Sequence, residues 1–170
     1  MGLINYLRLY GDNLAPVLHP DERPLAMELF QYHPGHEDLG APRPRFDLQE
    51  AADMALGLPT ERTLGIAERL VSGMSLVGWP GSKAQLLSTA SRFGSDLVVT
   101  NQRLLTGTVN NTTVTIDWEL WREEVASLSW APRFAQTGRL RLVLTDGSAI
   151  ALVCGYIFPG AAKRIVAAWH

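Results

Sequence analysis

The sequence predicts an α+β domain, on three observations. Beyond Gly78, apolar residues recur at every second position over several short runs, the spacing of half-buried strands. Asp146-Gly147 stands between two such runs, and Asp-Gly in that setting is among the strongest local hairpin signals. The last segment, 159–169, instead spaces Ala162, Ile165 and Trp169 at helical intervals. The expected architecture is an antiparallel β-barrel or sandwich with a C-terminal helix and a helical insertion after the first strand.

Composition bounds the problem. At 170 residues, 46% apolar and 19% charged, the chain has the length and make-up of a single globular domain, not a disordered one. A net charge of −2 gives no whole-protein argument for nucleic acid or for an anionic membrane. Cys154 is the one cysteine, so no internal disulfide forms and a reducing cytoplasm is the expected home. The apolar start is broken by Asn5 and Arg8 and stops at Gly11, too short for a signal peptide. No run approaches the ~20 apolar residues of a spanning helix. A soluble cytoplasmic protein is expected, at most peripheral at the inner face of the membrane.

The elements follow in order. Residues 3–10 place Leu3, Ile4, Leu7 and Tyr10 on one side of a short helix with Gly11 as its stop. Pro16, Pro20 and Pro24 break further helix, and 25–33 reads as a first strand ending at Pro34. The polar, proline-rich 35–45 reads as loop. Asp47 with Glu50 has capping-box spacing, and two helices closed by Gly57 and Gly73 are expected over 47–73. Organisation is therefore 1–34 (helix and first strand), 35–78 (loop and helical insertion) and 79–170 (β-core with terminal helix). In that core, strands are expected at 84–91, 96–100, 104–109, 112–118, 125–131, 139–145 and 148–153. Asn110-Asn111 has the residue types of a tight turn, and Pro159 suits the first position of the last helix.

The run 96–105, an apolar strand leading into Thr100-Asn101-Gln102-Arg103 and a second apolar strand, resembles bacterial pleckstrin-homology-like and GRAM-like domains. Ile116, Trp118, Val125 and Leu128, then the Asp146-Gly147 hairpin and final helix, continue the likeness over roughly 79–169. The resemblance implies a pleckstrin-homology-like β-core; the insertion at 47–73 departs from the simple family pattern. Turn chemistry accounts for the same residues: Asn101 tolerates a tight bend, the Thr100 hydroxyl bonds the turn, and Arg103 is expected to pair with Asp96 or Asp117.

Candidate chemistry is sparse. His33 and His36 near Glu37 and Asp38 are separated by Pro34-Gly35, so no helix sets a ligand spacing. There is no nucleophile elbow, phosphate loop or zinc-protease motif. Cys154 ends an apolar strand and reads as a buried thiol. Neither cofactor nor metal is expected. Trp118 is expected on the core face with Val114 and Ile116, whereas Trp121 beside Arg122 is either an anchor for a partner or a satellite of the core. Arg139 and Arg141 share one outer face by period two, with Arg133 close by, as a stripe for an acidic peptide or headgroup or as a solvated strand face.

The leading expectation is a non-catalytic interaction module binding protein or peptide, by sheet-edge addition or as a homo-oligomer. The alternative is a peripheral binder of lipid headgroups through Arg92, Arg133, Arg139 and Arg141. A hydrolase or metal enzyme has least support.

Overall fold

The structure is a computed structural model describing residues 5–41, 73–91, 95–110, 113–155 and 158–170. The helices expected over 47–73 lie outside the described residues, as do Arg92 and Asn111, and only Gly73 at the end of that span is described. The chain is α+β, with two sheets and, among the described residues, three α-helices and no closed barrel.

α1 (Tyr6–Tyr10) begins at Asn5, whose Oδ1 accepts the Arg8 amide at 3.2 Å, and passes at Gly11 into a 3-10 segment, Gly11–Val17. β1 (Pro24–Phe30) then pairs antiparallel with β4 (Ser95–Thr100), which pairs with β5 (Arg103–Val109), which pairs with β6 (Val114–Trp121). The second sheet runs β2 (His36–Asp38), β3 (Met74–Val77), β9 (Ala149–Val153), β8 (Arg139–Leu144), β7 (Val125–Trp130). Gln31 bridges Val153, joining the end of β1 to β9.

Apolar faces explain the layering. Ala26 and Phe30 of β1, Leu97 and Val99 of β4, and Leu140, Leu142, Ile150 and Leu152 of the expected hairpin meet in one core between the sheets. α3 (Gly160–Trp169) buries Ala162, Ile165 and Trp169 into that core, as its spacing predicts, and packs on β1, β4 and β7. The outer face of the first sheet, with Met27, Val98 and Leu105, is covered by Leu14 and the flanking N-terminal residues.

Four expectations are corrected. Residues 84–91 are not a strand but helix α2 (Lys83–Ala90). Ser82 caps it, accepting the Gln85 amide, and the next amides are capped from the far hairpin. Lys83 N donates to Asp146 Oδ2 at 2.9 Å and Ala84 N to Ser148 Oγ at 3.1 Å. Ala84, Leu87 and Ser88 form its buried stripe. The loop 35–45 contains β2, which runs parallel to β3, so the second sheet is mixed.

Trp118 does not share a face with Val114 and Ile116. Thr106 pairs with Trp118 but Gly107 with Ile116, so Asp117 is one residue in excess. This bulge turns Trp118 into the inter-sheet core while Val114 and Ile116 pack on the outer one. Gly107 permits the bulge, because a Cβ there would sit 1.9 Å from the Thr115 carbonyl oxygen. Finally, Arg103 pairs with neither Asp96 nor Asp117 but with Glu22 and Glu119. The first strand feeds back over the β4–β5 turn and brings Glu22 to it; Asp96 instead accepts the Val109 amide at 2.7 Å.

Candidate functional site

The β4–β5 turn is a buried clasp. Arg103 Nε and Nη2 donate to the two Glu22 oxygens, each at 2.9 Å, and Thr100 Oγ1 donates to Glu22 Oε1 at 2.8 Å. Thr100 Oγ1 also accepts the Gln102 and Arg103 amides, the turn bond expected of it. Asn101 reaches away, accepting the Arg23 amide at 2.7 Å and donating to the Asp21 carbonyl at 3.1 Å. These residues bind the N-terminal segment to the sheet.

Trp121 and Arg122 are likewise occupied within the fold. Trp121 is half-buried, stacked on His19 at 5.6 Å between centroids, with the Arg103 guanidinium 5.3 Å from its ring. Arg122 Nη1 donates to the Trp169 carbonyl at 2.6 Å, and its Nη2 lies 3.4 Å from that of Ala168. Its guanidinium lies 4.2 Å from the Trp169 ring centroid, so one cation caps the negative end of α3. Burial pulls its pKa below the usual guanidinium value.

Arg133, Arg139 and Arg141 do come together. Arg133 and Arg139 line a cavity of about 120 Å³ with His33, Met74 and Gln136. Arg139 is not on a solvated face: it is 3% exposed, and its Nη2 donates to the Met74 carbonyl at 2.9 Å. Burial first, and then the like charges of Arg133 and Arg141, pull its pKa down to about 10. Arg141 is half-buried, with Nε donating to Ser129 Oγ on β7 at 3.2 Å.

β7 forms the edge of the second sheet, and among the described residues it pairs with β8 alone. Ala131 N donates to the Arg139 carbonyl, so by antiparallel alternation the amides of Leu128 and Trp130 point away from β8. None of the six residues of β7 is charged and none is proline. Natural edges are usually blunted by such residues. Trp130 closes the strand, 38% exposed, its Nε1 donating to the Thr137 carbonyl at 2.7 Å and Lys163 Nζ of α3 lying 4.4 Å from its ring centroid. Strand edge, indole and Lys163 of α3 thus lie together at the end of β7.

No family model, curated protein or solved structure matches the chain.

Cys154 is fully buried and its pKa is raised, by burial first and by the Glu28 charge second, which makes it a core thiol. Among the described residues no group of three or more His, Cys, Asp or Glu is placed to hold a metal ion. No helix among them is long and apolar enough to cross a membrane.

Two features escaped sequence reasoning: the edge position of β7 and the full exposure of Phe134 at the tip between β7 and β8. Neither is written in a local pattern, because strand pairing and exposure are set by the assembled molecule.

Proposed function

We propose that the protein is a non-catalytic interaction module of pleckstrin-homology-like architecture that takes up an extended segment of a partner protein along β7. The order of elements supports the architecture: a meander of β4, β5 and β6 beside β1, then β7, β8 and β9 in a second sheet, then a closing helix.

The outward amides of an uncharged edge strand carry the functional reading. Such an edge offers a peptide main-chain hydrogen bonds at every second residue, and adjoining side chains supply selectivity. Trp130, at the end of β7 with Lys163 over its ring, is the adjoining side-chain pair available to supply that selectivity.

The test is a displayed peptide library panned against the folded protein, followed by amide hydrogen exchange on a selected pair. Bound peptide should slow exchange at Leu128 and Trp130, and N-methylation of alternate peptide residues should abolish binding. Selected peptides that leave both amides exchanging at their free rates would sink this reading. A second copy of the chain on the same edge would appear as a concentration-dependent mass with the same two amides protected.

A further inference from the structure

We propose that the segment taken up along β7 is acidic and carries two adjacent Asp or Glu residues, one received by Arg141 and the other by Lys163. This inference rests on strand addition at β7 and names the chemistry of the partner.

Alternation along β7 fixes which side chains an added strand would meet. Ser129 pairs with Arg141 and Trp130 with Leu140, so Ser129 and Arg141 share the outer face of the second sheet. Trp130 and Leu140 share the opposite face, toward the inter-sheet core and α3. A partner residue set opposite Ser129 therefore points to the outer face, and its chain neighbour opposite Trp130 points to the face of α3. Two consecutive side chains of the partner are read, one on each face.

Each face holds a cation at this point. Arg141 reaches across from β8: its Nε donates to Ser129 Oγ at 3.2 Å, which carries the guanidinium to the edge strand. It is half-buried, and among the described residues no acceptor meets its two terminal nitrogens. A guanidinium with its terminal nitrogens open suits a carboxylate. On the other face Lys163 is exposed, its Nζ 4.4 Å from the Trp130 ring centroid, and it pairs with no carboxylate among the described residues.

These cations stand at one end of the strand. No acidic residue occurs in 125–145, so the hairpin of β7 and β8 offers them no carboxylate of its own. At the other end exposed Glu123 precedes β7, Glu124 is already paired with Lys83, and Arg122 is turned to the carbonyls closing α3. An acidic pair is therefore attracted where Ser129 and Trp130 stand and repelled near Val125, which sets the register of the added strand. A neutral segment would gain the main-chain bonds alone. β7 itself is uncharged, so a second copy laid edge to edge would leave both cations unanswered.

The test is a library of displayed linear peptides panned against the full wild-type chain and against Arg141→Gln and Lys163→Gln. Adjacent acidic residues at one fixed pair of positions are expected from the wild type, with one position losing its preference in each variant. In a selected peptide made synthetically, replacing the acidic pair by Gln-Gln should weaken binding roughly tenfold at low salt, and raised salt should narrow the difference. Arg141→Lys, which retains the charge, should keep the acidic preference, and thermal melting checks that each variant is folded. Neutral peptides that bind as tightly as acidic ones and slow exchange at Leu128 and Trp130 would overturn the acidic reading and leave strand addition standing. Acidic peptides bound while both amides exchange at their free rates, or no selected peptide at all, would overturn both. An acidic preference unaltered in both variants would overturn the assignment to Arg141 and Lys163. A concentration-dependent mass with those two amides protected in the absence of peptide would overturn it in favour of a second copy.

Discussion

The carboxylate of Glu22 and the guanidinium of Arg103 meet in a two-pronged pair, 81 positions apart in sequence, with both side chains withdrawn from solvent. The pair ties the segment before β1 to the turn between β4 and β5. Removing Glu22 leaves the buried guanidinium with the half-exposed Glu119 as its remaining carboxylate partner, so Glu22→Ala is expected to cost up to about 3 kcal/mol in urea unfolding.

The same pair sets a pH dependence. Burial by itself would raise the Glu22 carboxyl, but bonds from Arg103, His19 and Thr100 together outweigh it and hold the pKa below the usual carboxylate value. Glu124 is lowered in the same manner by Lys83 and the Trp121 amide. A folded pKa below the unfolded one contributes stability above the ordinary carboxylate range, roughly pH 4, and loses it as pH falls through the folded value. Unfolding free energy should therefore decline on acidification below that point, and Glu22→Gln should flatten the decline.

Arg122→Met should weaken the seat of α3. The variant keeps an apolar stem but loses the bonds to the Trp169 and Ala168 carbonyls and the cation over the indole. A cost of about 1–2 kcal/mol is expected. Amide exchange should quicken along α3 more than along β5.

Gly107→Ala should be far more damaging than its chemistry suggests. With a new Cβ 1.9 Å from the Thr115 oxygen, the bulge cannot survive unshifted. Loss of several kcal/mol, or failure to fold, is expected, to be read by circular dichroism beside Gly81→Ser, where nothing lies within 4 Å and only the positive φ adds strain.

Cys154 should resist alkylation in the native protein. Buried in the inter-sheet core with its thiol pKa raised, it offers almost no thiolate near neutral pH. Iodoacetamide labelling followed by mass spectrometry should be slow in buffer and fast in urea, with the native rate tracking global opening.

What the sequence made legible was local. The β8–β9 hairpin, α3 and the strand pair around Thr100 are written in alternation, Asp-Gly and helical spacing, and they stand where expected. What it hid depends on distant partners. The α2 segment carries the adjacent Leu86 and Leu87, and besides the local Ser82 cap its first two amides are met from another hairpin, so local grammar misassigned it. The face of Trp118 turns on one excess residue, invisible to a count by twos. For the site, proximity of Arg133, Arg139 and Arg141 followed from spacing, but the burial of Arg139 under β3 did not. Nor could periodicity tell that Phe134 tops a turn, because exposure is a property of the assembled molecule.

The capping of α2 from beyond residue 145 has a consequence for how the chain matures. Eight residues are too few to hold a helix in water unaided. Its first amides wait for acceptors at Asp146 and Ser148, which leave the ribosome some sixty residues later. During synthesis this stretch must idle as coil while β4 to β8 are threaded. Helix and closing hairpin then lock in one late event, so a truncation before residue 146 should forfeit both together.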